Sequence, residues 1–218
     1  MKKLVPVALL VAAAIYAYVP FLINAAPEEA TMGIIYKIIF FHVPSAMTMF
    51  VSAFVCGIAS AMVMFKRSAK ADHVAVAAAE LAIVFGAIVL TTGPLWARKA
   101  WGVWWEWDPR LTSTLVMWLV FCAFLMLRRF GGPGSESLSA AIGLFGMALV
   151  PFVYWSVNVW RGMHPKTTVA MTLPEGMREP FWLSVLAFLC LYSAILAVRV
   201  RIGSARAKFE SIMLAAED

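Results

Sequence analysis

Charged residues are scarce in this 218-residue sequence, and their scarcity excludes an ordinary soluble domain. Only 14% of the residues are charged, whereas 63% are hydrophobic and the mean hydropathy is +0.85. Soluble domains carry about 25% charged residues and are about half apolar. The chain is therefore predicted to be an integral membrane protein. Its net charge of +6 does not indicate nucleic-acid binding, because the basic residues cluster at the ends of apolar runs, where they act as topology signals.

Cysteine is scarce, and the common catalytic motifs are absent. The three cysteines, Cys56, Cys122 and Cys190, all fall inside apolar runs and form no Cys-x-x-Cys pair, so they provide neither a disulfide framework nor a thiol relay. The sequence has no phosphate-binding Walker loop, no zinc-peptidase motif and no serine nucleophile elbow. ATP hydrolysis and proteolysis by this chain are therefore not expected.

Six apolar segments, each long enough to span a bilayer, predict an all-α membrane domain covering residues 1–218. The predicted spans run from about Leu4 to Ala25, Pro44 to Phe65, His73 to Leu95, Leu111 to Leu127, Leu138 to Trp160 and Phe181 to Val198. The first resembles a signal peptide but lacks a convincing small-residue cleavage site, so it is kept as a helix. Asp72 is a candidate cap for the third span. Glu80, inside that span, needs a partner or an inward-facing position.

The distribution of basic residues predicts the orientation. Eleven of the eighteen lie on the side of the two termini, including Lys2 and Lys3. The other side has seven: Lys37, Arg98, Lys99, Arg110, Arg161, Lys166 and Arg178. By the positive-inside rule both termini are cytoplasmic, residues 199–218 form a cytoplasmic tail, and residues 96–112 form an extracytoplasmic loop. In a bacterium this loop is periplasmic and the chain lies in the inner membrane.

Residues 101–112 contain the densest aromatic cluster of the chain. Four of the nine tryptophans, Trp101, Trp104, Trp105 and Trp107, fall within seven residues. If the segment is helical, Trp101, Trp104, Trp105 and Asp108 share an arc of about 100° and form an aromatic face with a carboxylate at one end. Asp108 followed by Pro109 is also typical of a helix N-terminus. The alternative is that these tryptophans only belong to the aromatic belt of the membrane surface.

Two of the three histidines are predicted on the same side as the tryptophans. His42 lies just before the second span and His164 just after the fifth, whereas His73 lies at the opposite boundary. Two neutral imidazoles beside an aromatic surface suit the axial ligands of a haem iron. Arg110 is the best placed cation for a haem propionate. The alternative is that each histidine only bonds a loop carbonyl.

These residues resemble a known signature. The segment Trp101-Gly102-x-Trp104-Trp105-x-Trp107-Asp108-x-Arg110-Leu111-Thr112 is similar to the WWD signature of the haem-handling membrane proteins of cytochrome c maturation. The segments around His42 and His164 are similar to the family's two external histidine segments. Six spans, this length and one histidine on each side of the signature resemble the CcmC type, over about residues 5–200.

The resemblance implies binding and delivery of haem b, not catalysis. His42 and His164 become the axial iron ligands, and Trp101, Trp104, Trp105, Trp107 and Asp108 become the platform that presents the haem edge. The expected recipient is the haem chaperone CcmE, and the expected partners are CcmA, CcmB and CcmD, with ATP hydrolysis on CcmA. Two other functions stay open. One is a haem lyase that attaches haem to apocytochrome c, as in CcsA-type relatives, and the other is a membrane scaffold that binds no haem.

Overall fold

The structure is a computed structural model that describes residues 4–160, 162–166 and 170–217. Lys2, Lys3 and Arg161, used in the orientation argument, lie outside these residues. The six helices are α1 (Leu4–Ala25), α2 (Ile39–Lys66), α3 (Ala69–Ala100), α4 (Pro109–Phe130), α5 (Ser135–Val159) and α6 (Glu175–Glu217). A 3₁₀ helix, Ile34–Ile38, leads into α2. All six helices are long and apolar enough to cross a membrane, and the described residues form no strand. The predicted all-α, six-span class is confirmed.

Several helices extend beyond the predicted ends because prolines are accommodated inside them. Pro44 and Pro180, which lie at or next to the predicted starts of the second and sixth spans, are inside α2 and α6. The prediction that His42 precedes the second helix is therefore wrong, since α2 begins at Ile39 and His42 lies in its first turn. The fully buried Phe40 anchors the α2 start to the neighbouring loops.

Helix α6 is much longer than a bilayer requires. Its 43 residues correspond to about 64 Å at 1.5 Å per residue, whereas a hydrocarbon core is about 30 Å thick. The helix runs without a break through the segment from Arg199 onward that was predicted as a tail. Charged residues on this segment are compatible with a helix because Arg206 pairs with Glu210 one turn later, at 2.9 Å.

The helix caps partly follow the prediction. Asp108 caps α4 as predicted, with its Oδ1 accepting a hydrogen bond from Leu111 N at 2.7 Å and Pro109 as the first helical residue. At α3, however, the cap is Ser68, whose hydroxyl accepts from Ala71 N at 3.3 Å. Asp72 lies in the first turn of α3, where its carboxylate pairs with Arg128 instead.

The helices form a ring with two additional layers. Helices α2, α3, α4 and α5 contact one another in that order around the ring, α6 packs on α2 and α3, and α1 packs mainly on α6. Small residues allow close approach: seven of the ten alanines of α3 are buried, and a Cβ at Gly143 would overlap the Ser60 hydroxyl across the α2–α5 contact. The ring core is filled by large side chains such as Phe121, Phe124 and Met117.

The bundle has two distinct ends. We use "site end" for the end at which α1, α3 and α5 finish and α2, α4 and α6 begin, and "opposite end" for the other. At the site end, Ile39 and Phe40 of α2 pack against Leu173, Met177 and Phe181 around the start of α6. This cluster fixes the first turn of α2 against the chain that precedes α6. The three cysteines are free.

Candidate functional site

The tryptophan segment is not helical. Helix α3 ends at Ala100 and α4 begins at Pro109. Gly102, with φ of +80°, turns the chain, and Asp108 is extended with ψ of 161°. A left-handed residue such as Gly102 breaks the helical path at little cost only because it has no Cβ. The conditional arrangement of Trp101, Trp104, Trp105 and Asp108 on one helical face is therefore not the one the structure adopts.

The loop instead divides its tryptophans between an inner and an outer surface. Trp101 and Trp105 line a cavity at the site end. Trp104 and Trp107 are 57% and 75% exposed. Arg98 contacts the part of the loop that carries Trp104. It donates a hydrogen bond to the Gly102 carbonyl and lies 5.9 Å from the centre of the Trp104 ring. The loop thus offers one aromatic surface to the interior and another to the outside.

His42 and His164 lie on the walls of the same cavities, although 122 positions separate them in sequence. His42 comes from the first turn of α2, and His164 from the segment that follows α5. His42 Nδ1 lies 2.8 Å from Thr92 Oγ1, and His164 Nδ1 lies 2.9 Å from the carbonyl oxygen of Pro165. Since a carbonyl only accepts, His164 donates through Nδ1, and its Nε2 carries the free lone pair. His73 lies at the opposite end, beside Gly203.

Two adjoining cavities meet at these histidines. The first has about 600 Å³ of space between atoms, open solvent included, and is lined mainly by α2, α3, α4 and the tryptophan loop. The second has about 1050 Å³ by the same measure and extends toward Tyr36, Lys166 and Trp182. Both cavities share six wall residues: His42, Ala46, Phe50, Trp96, Arg110 and His164.

Arg110 is the cation on this shared wall. It follows Pro109 in the first turn of α4, which the Asp108 cap holds in place. Its Nη1 donates to the carbonyl oxygens of Val153 and Tyr154 on α5, both at 3.0 Å. Its guanidinium carbon lies 6.0 Å from the centre of the Phe50 ring, within cation–π range. The positive charge is thus fixed at the cavity by contacts with α5 and α2.

Two indole N–H groups at the cavity are buried without a hydrogen-bond acceptor among the described residues. They are Nε1 of Trp96 and Nε1 of Trp105, and both residues line the first cavity. A buried donor without an acceptor is costly and therefore uncommon. Beside the Arg110 cation, these two donors suit a ligand that is largely apolar and carries acceptor oxygens.

Trp96 was missed by the sequence analysis, which ended the third span at Leu95. It lies in the last turns of α3, is 9% exposed, and its ring centre is 5.4 Å from that of Trp101. A signal was present, since Trp96 comes five residues before the tryptophan cluster, just after Pro94. The predicted span already passed Pro94 and ended at Leu95, so Trp96 fell in the predicted loop of residues 96–112 and was not singled out.

The chain segments that carry Asp108 and His164 touch each other. A Cβ at Gly162 would lie 3.0 Å from Asp108 Oδ2, so glycine permits a close approach that a larger residue would disturb. Oδ2 is buried without a hydrogen-bond partner among the described residues, whereas Oδ1 caps α4. Asp108 therefore connects the start of α4 to the segment that holds His164, two residues after Gly162.

His164 is in an environment that keeps its imidazole neutral. Burial and next the positive charge of Arg110 lower the pKa of His164 from 6.5 to about 4, while the bond to the Pro165 carbonyl acts in the opposite direction. The ring is therefore neutral at physiological pH. A neutral ring with Nε2 unprotonated is the form that binds a metal.

The fold and these cavities define a class: a multi-pass α-helical membrane protein with a bis-histidine, tryptophan-walled cavity at one end of the bundle. Comparison with known proteins identifies the family. The family model described as Heme exporter protein C, CcmC, matches residues 1–214, and the chain belongs to this family.

Individual relatives agree with the family assignment. Heme exporter protein C of Paracoccus denitrificans is 31% identical over 194 residues, which cover 86% of this chain and 80% of the relative. The protein of the same name from Bradyrhizobium diazoefficiens is 33% identical over 196 residues, covering 87% and 74%. That of Escherichia coli K12 is 33% identical over 191 residues, covering 81% and 73%. The similarity thus extends over most of both chains in each case.

Proposed function

We propose that this chain binds haem b between His42 and His164 at the site end and delivers it for cytochrome c maturation. The observation that carries the proposal is the convergence of the two histidines on the same cavities, with Trp101, Trp105 and Arg110 in the walls. In this role haem is cargo. The chain binds and presents it, and the proposal assigns the chain no catalytic activity of its own.

The chemistry of the cavity residues fits this cargo. A haem offers an iron with two open axial positions, a wide apolar face and two propionates. The histidines supply imidazole nitrogens for the iron, and the tryptophan rings supply an apolar wall. Arg110 and the unpartnered indole N–H groups of Trp96 and Trp105 supply a cation and two donors for carboxylate oxygens. Each kind of group on the haem therefore has a matching group on the protein.

The proposed location is the periplasmic face of the bacterial inner membrane. It rests on the excess of basic residues on the side of the two termini, which makes the opposite end cytoplasmic. The site end then faces the periplasm. Epitope accessibility at the C-terminal end of α6, compared with that of the tryptophan loop, tests this orientation in intact spheroplasts.

The proposed recipient is the haem chaperone CcmE, with CcmA, CcmB and CcmD as the associated transporter subunits. The exposed Trp104 and Trp107 lie on the outer surface of the same loop whose Trp105 lines the cavity. A chaperone that contacts the outer pair would be brought next to the haem edge. Delivery would then proceed by exchange of an axial histidine for a ligand of the chaperone. Co-purification with tagged CcmE, in the presence of haem, tests the contact.

The decisive experiment is an absorption spectrum of the detergent-purified protein with haem, wild type beside His42→Ala and His164→Ala. We expect a low-spin Soret spectrum for the wild type that weakens or becomes high-spin in each variant. His73→Ala is the matched control, because His73 lies at the opposite end, and it should behave as wild type. Full haem occupancy with unchanged spectra in both site variants would overturn the ligand assignment.

A second assay separates delivery from the two other functions. Haem-loaded protein is mixed with purified CcmE or with apocytochrome c, and covalent haem is detected on each. Transfer to CcmE alone supports delivery, whereas direct attachment to the apocytochrome would make the chain a lyase. A wild type that binds no added haem would support the alternative of a membrane scaffold that binds no haem.

A further inference from the structure

We propose that Thr92 is a positioning residue that fixes the tautomer and ring orientation of His42, so that its Nε2 is offered to the cavity. This inference deepens the proposed function, since the iron of the cargo haem would be the group that His42 meets. Thr92 is on α3, the helix packed against α2. Thr92 lies outside the tryptophan signature of residues 101–112, and the signature does not indicate a role for it.

The hydrogen bonds of Thr92 determine which atom donates. Thr92 Oγ1 lies 2.6 Å from the carbonyl oxygen of Ile88 and 2.8 Å from His42 Nδ1. A hydroxyl has a single proton, and a carbonyl oxygen can only accept. The proton of Thr92 is therefore used by Ile88, and the hydroxyl oxygen accepts from His42. His42 must then carry its proton on Nδ1, which leaves Nε2 with the free lone pair.

The same tautomer results at His164 by a different route. His164 Nδ1 donates to the Pro165 carbonyl oxygen, so Nε2 is again unprotonated. Metal-binding histidines commonly donate their other N–H to such an acceptor, which fixes the ring and makes the ligand more basic. The two histidines differ in one useful respect. His164 is held by the main chain, whereas His42 is held by a side chain that can be replaced.

The local packing of α3 supports this role. The next residue is Gly93, and a Cβ there would lie 3.4 Å from His42 Cε1, so the imidazole rests close against the helix surface. Pro94 follows within the helix. The ring is thus bonded at one edge by Thr92 and bounded beside it by Gly93, which leaves little freedom for rotation.

The competing interpretation is that Thr92 only bonds its own helix, as threonines in membrane helices often do. Thr91 provides the comparison within this chain. Its hydroxyl lies 2.5 Å from the Ala87 carbonyl and 3.1 Å from that of Ile88, and the residue is exposed. Thr91 therefore makes the same helix contact without the histidine, and Thr91→Val is a matched control.

The first test uses haem-free protein with ¹⁵N-labelled histidine, so it does not depend on haem binding. At pH 8, above the ordinary imidazole pKa of about 6.5, ¹⁵N chemical shifts distinguish a protonated Nδ1 from a protonated Nε2. We expect Nδ1–H at His42 in wild type, Thr92→Ser and Thr91→Val. In Thr92→Val, the His42 signals should shift toward Nε2–H or a mixture, while those of His164 stay. An unchanged His42 pattern in Thr92→Val would overturn the inference.

The second test uses the same variants loaded with haem. Loss of an outer hydrogen bond to a metal ligand typically weakens binding by about 10- to 100-fold. We expect Thr92→Val to bind haemin at least 10-fold more weakly, with altered low-spin electron paramagnetic resonance g values, and Thr92→Ser to restore both. Wild-type affinity and g values in Thr92→Val would contradict a positioning role.

The two tests separate this inference from the proposed function. If the wild type binds no haem, the proposed function fails, while a tautomer change confined to Thr92→Val still supports the role of Thr92. If all variants bind haem with identical spectra and tautomers, the inference about Thr92 fails, while haem binding stands.

Discussion

The two ends of the bundle treat their polar groups differently. Toward the opposite end, charges are paired across helices: Arg128 of α4 contacts Asp72 of α3 at 2.5 Å, and Arg199 of α6 contacts Glu80 of α3 at the same distance. The pairing explains how Glu80, predicted to need a partner, is tolerated inside an apolar helix. These pairs tie α3 to its neighbours.

At the site end, several of the described cations bond main-chain carbonyls instead. Arg110 donates to α5, Lys37 donates to the Asn24 carbonyl at 3.0 Å, and Arg178 donates to that of Leu173 at 2.8 Å. Within residues 4–160, 162–166 and 170–217, no ion pair is found at this end. The positive charges there are therefore available to pair with an anionic ligand.

This difference indicates a division of labour. Cations paired with carboxylates join the helices toward the opposite end, although Nε of Arg128 has no hydrogen-bond partner among the described residues. Cations without a carboxylate partner are retained at the site end, where an anionic ligand can pair with them. The site end combines two imidazoles, a cation without an ion pair and two indole donors without an acceptor among the residues that the structure describes. Substitutions should therefore affect ligand binding at one end and stability at the other.

The largest effect should come from replacing the cation of the site end. Arg110→Met removes a charged donor, worth about 1.5–3 kcal/mol, so haemin affinity should fall by about 10- to 100-fold. Because both histidines remain, the bound fraction should keep its low-spin spectrum. Titration of purified protein with haemin, followed at the Soret band, measures both properties.

Arg178→Met is the control for this prediction, since Arg178 lies at the same end but bonds the Leu173 carbonyl. It should leave the affinity within about twofold of wild type. Arg110→Lys keeps the charge without the planar guanidinium, and its haemin affinity should lie between those of wild type and Arg110→Met. An Arg110→Met protein that folds and binds haemin as tightly as wild type would refute the division of labour at this end.

At the opposite end, removing one partner of an ion pair should cost stability alone. Asp72→Ala leaves Arg128, whose side chain is 17% exposed, without its closest carboxylate, at a cost of about 1–3 kcal/mol. Thermal unfolding in detergent should show a lower midpoint with unchanged haemin affinity. Asp72→Ala combined with Arg128→Met should recover part of the loss. A weaker haem site in Asp72→Ala would mean that the two ends are coupled.

A smaller effect is expected from the indole donors. Trp96→Phe keeps an aromatic ring but removes the unpartnered N–H, and a neutral hydrogen bond is worth about 0.5–1.5 kcal/mol, so haemin affinity should fall by about 2- to 13-fold. Trp107→Phe, at the exposed surface of the loop, should not change affinity. It should slow transfer to the chaperone. Equal affinities for wild type and Trp96→Phe would show that the indole N–H does not meet the cargo.

Much of the fold could be predicted because it depends on composition and length. The six spans follow from apolar runs longer than a bilayer is thick, and the Asp108 cap follows from a short-range pattern with one common outcome. The start of α2 could not be predicted in the same way. Pro44 suggested a boundary, but the tertiary packing of Phe40 favours a helix that begins five residues earlier.

The candidate site was less accessible to prediction, because it depends on contacts between distant segments. Sequence spacing indicated that His42 and His164 belong to one side, but it carried no information about Thr92 or the unpartnered N–H of Trp96. The tryptophan loop was the hardest part. Its periodicity suited a helix, and the conformation of one residue, Gly102, redirects the chain so that Trp104 points outward.

The last expected effect concerns the protonation of His164, which is absent at neutral pH and appears only in acid. The folded pKa of His164, about 4, lies below the ordinary value of 6.5. The unfolded chain therefore binds a proton that the folded chain excludes, and His164 reduces stability as the pH falls from about 6.5 to about 4, with no further change below. Above pH 6.5 the ring is neutral in both states and this effect is absent.

Titration of ¹³C-labelled histidine in haem-free protein, with His164→Gln to assign the signal, should give a midpoint near 4. The difference in melting temperature between wild type and His164→Gln should change only between pH 6.5 and 4. A midpoint near 6.5 would mean that the His164 ring is exposed to water and not buried.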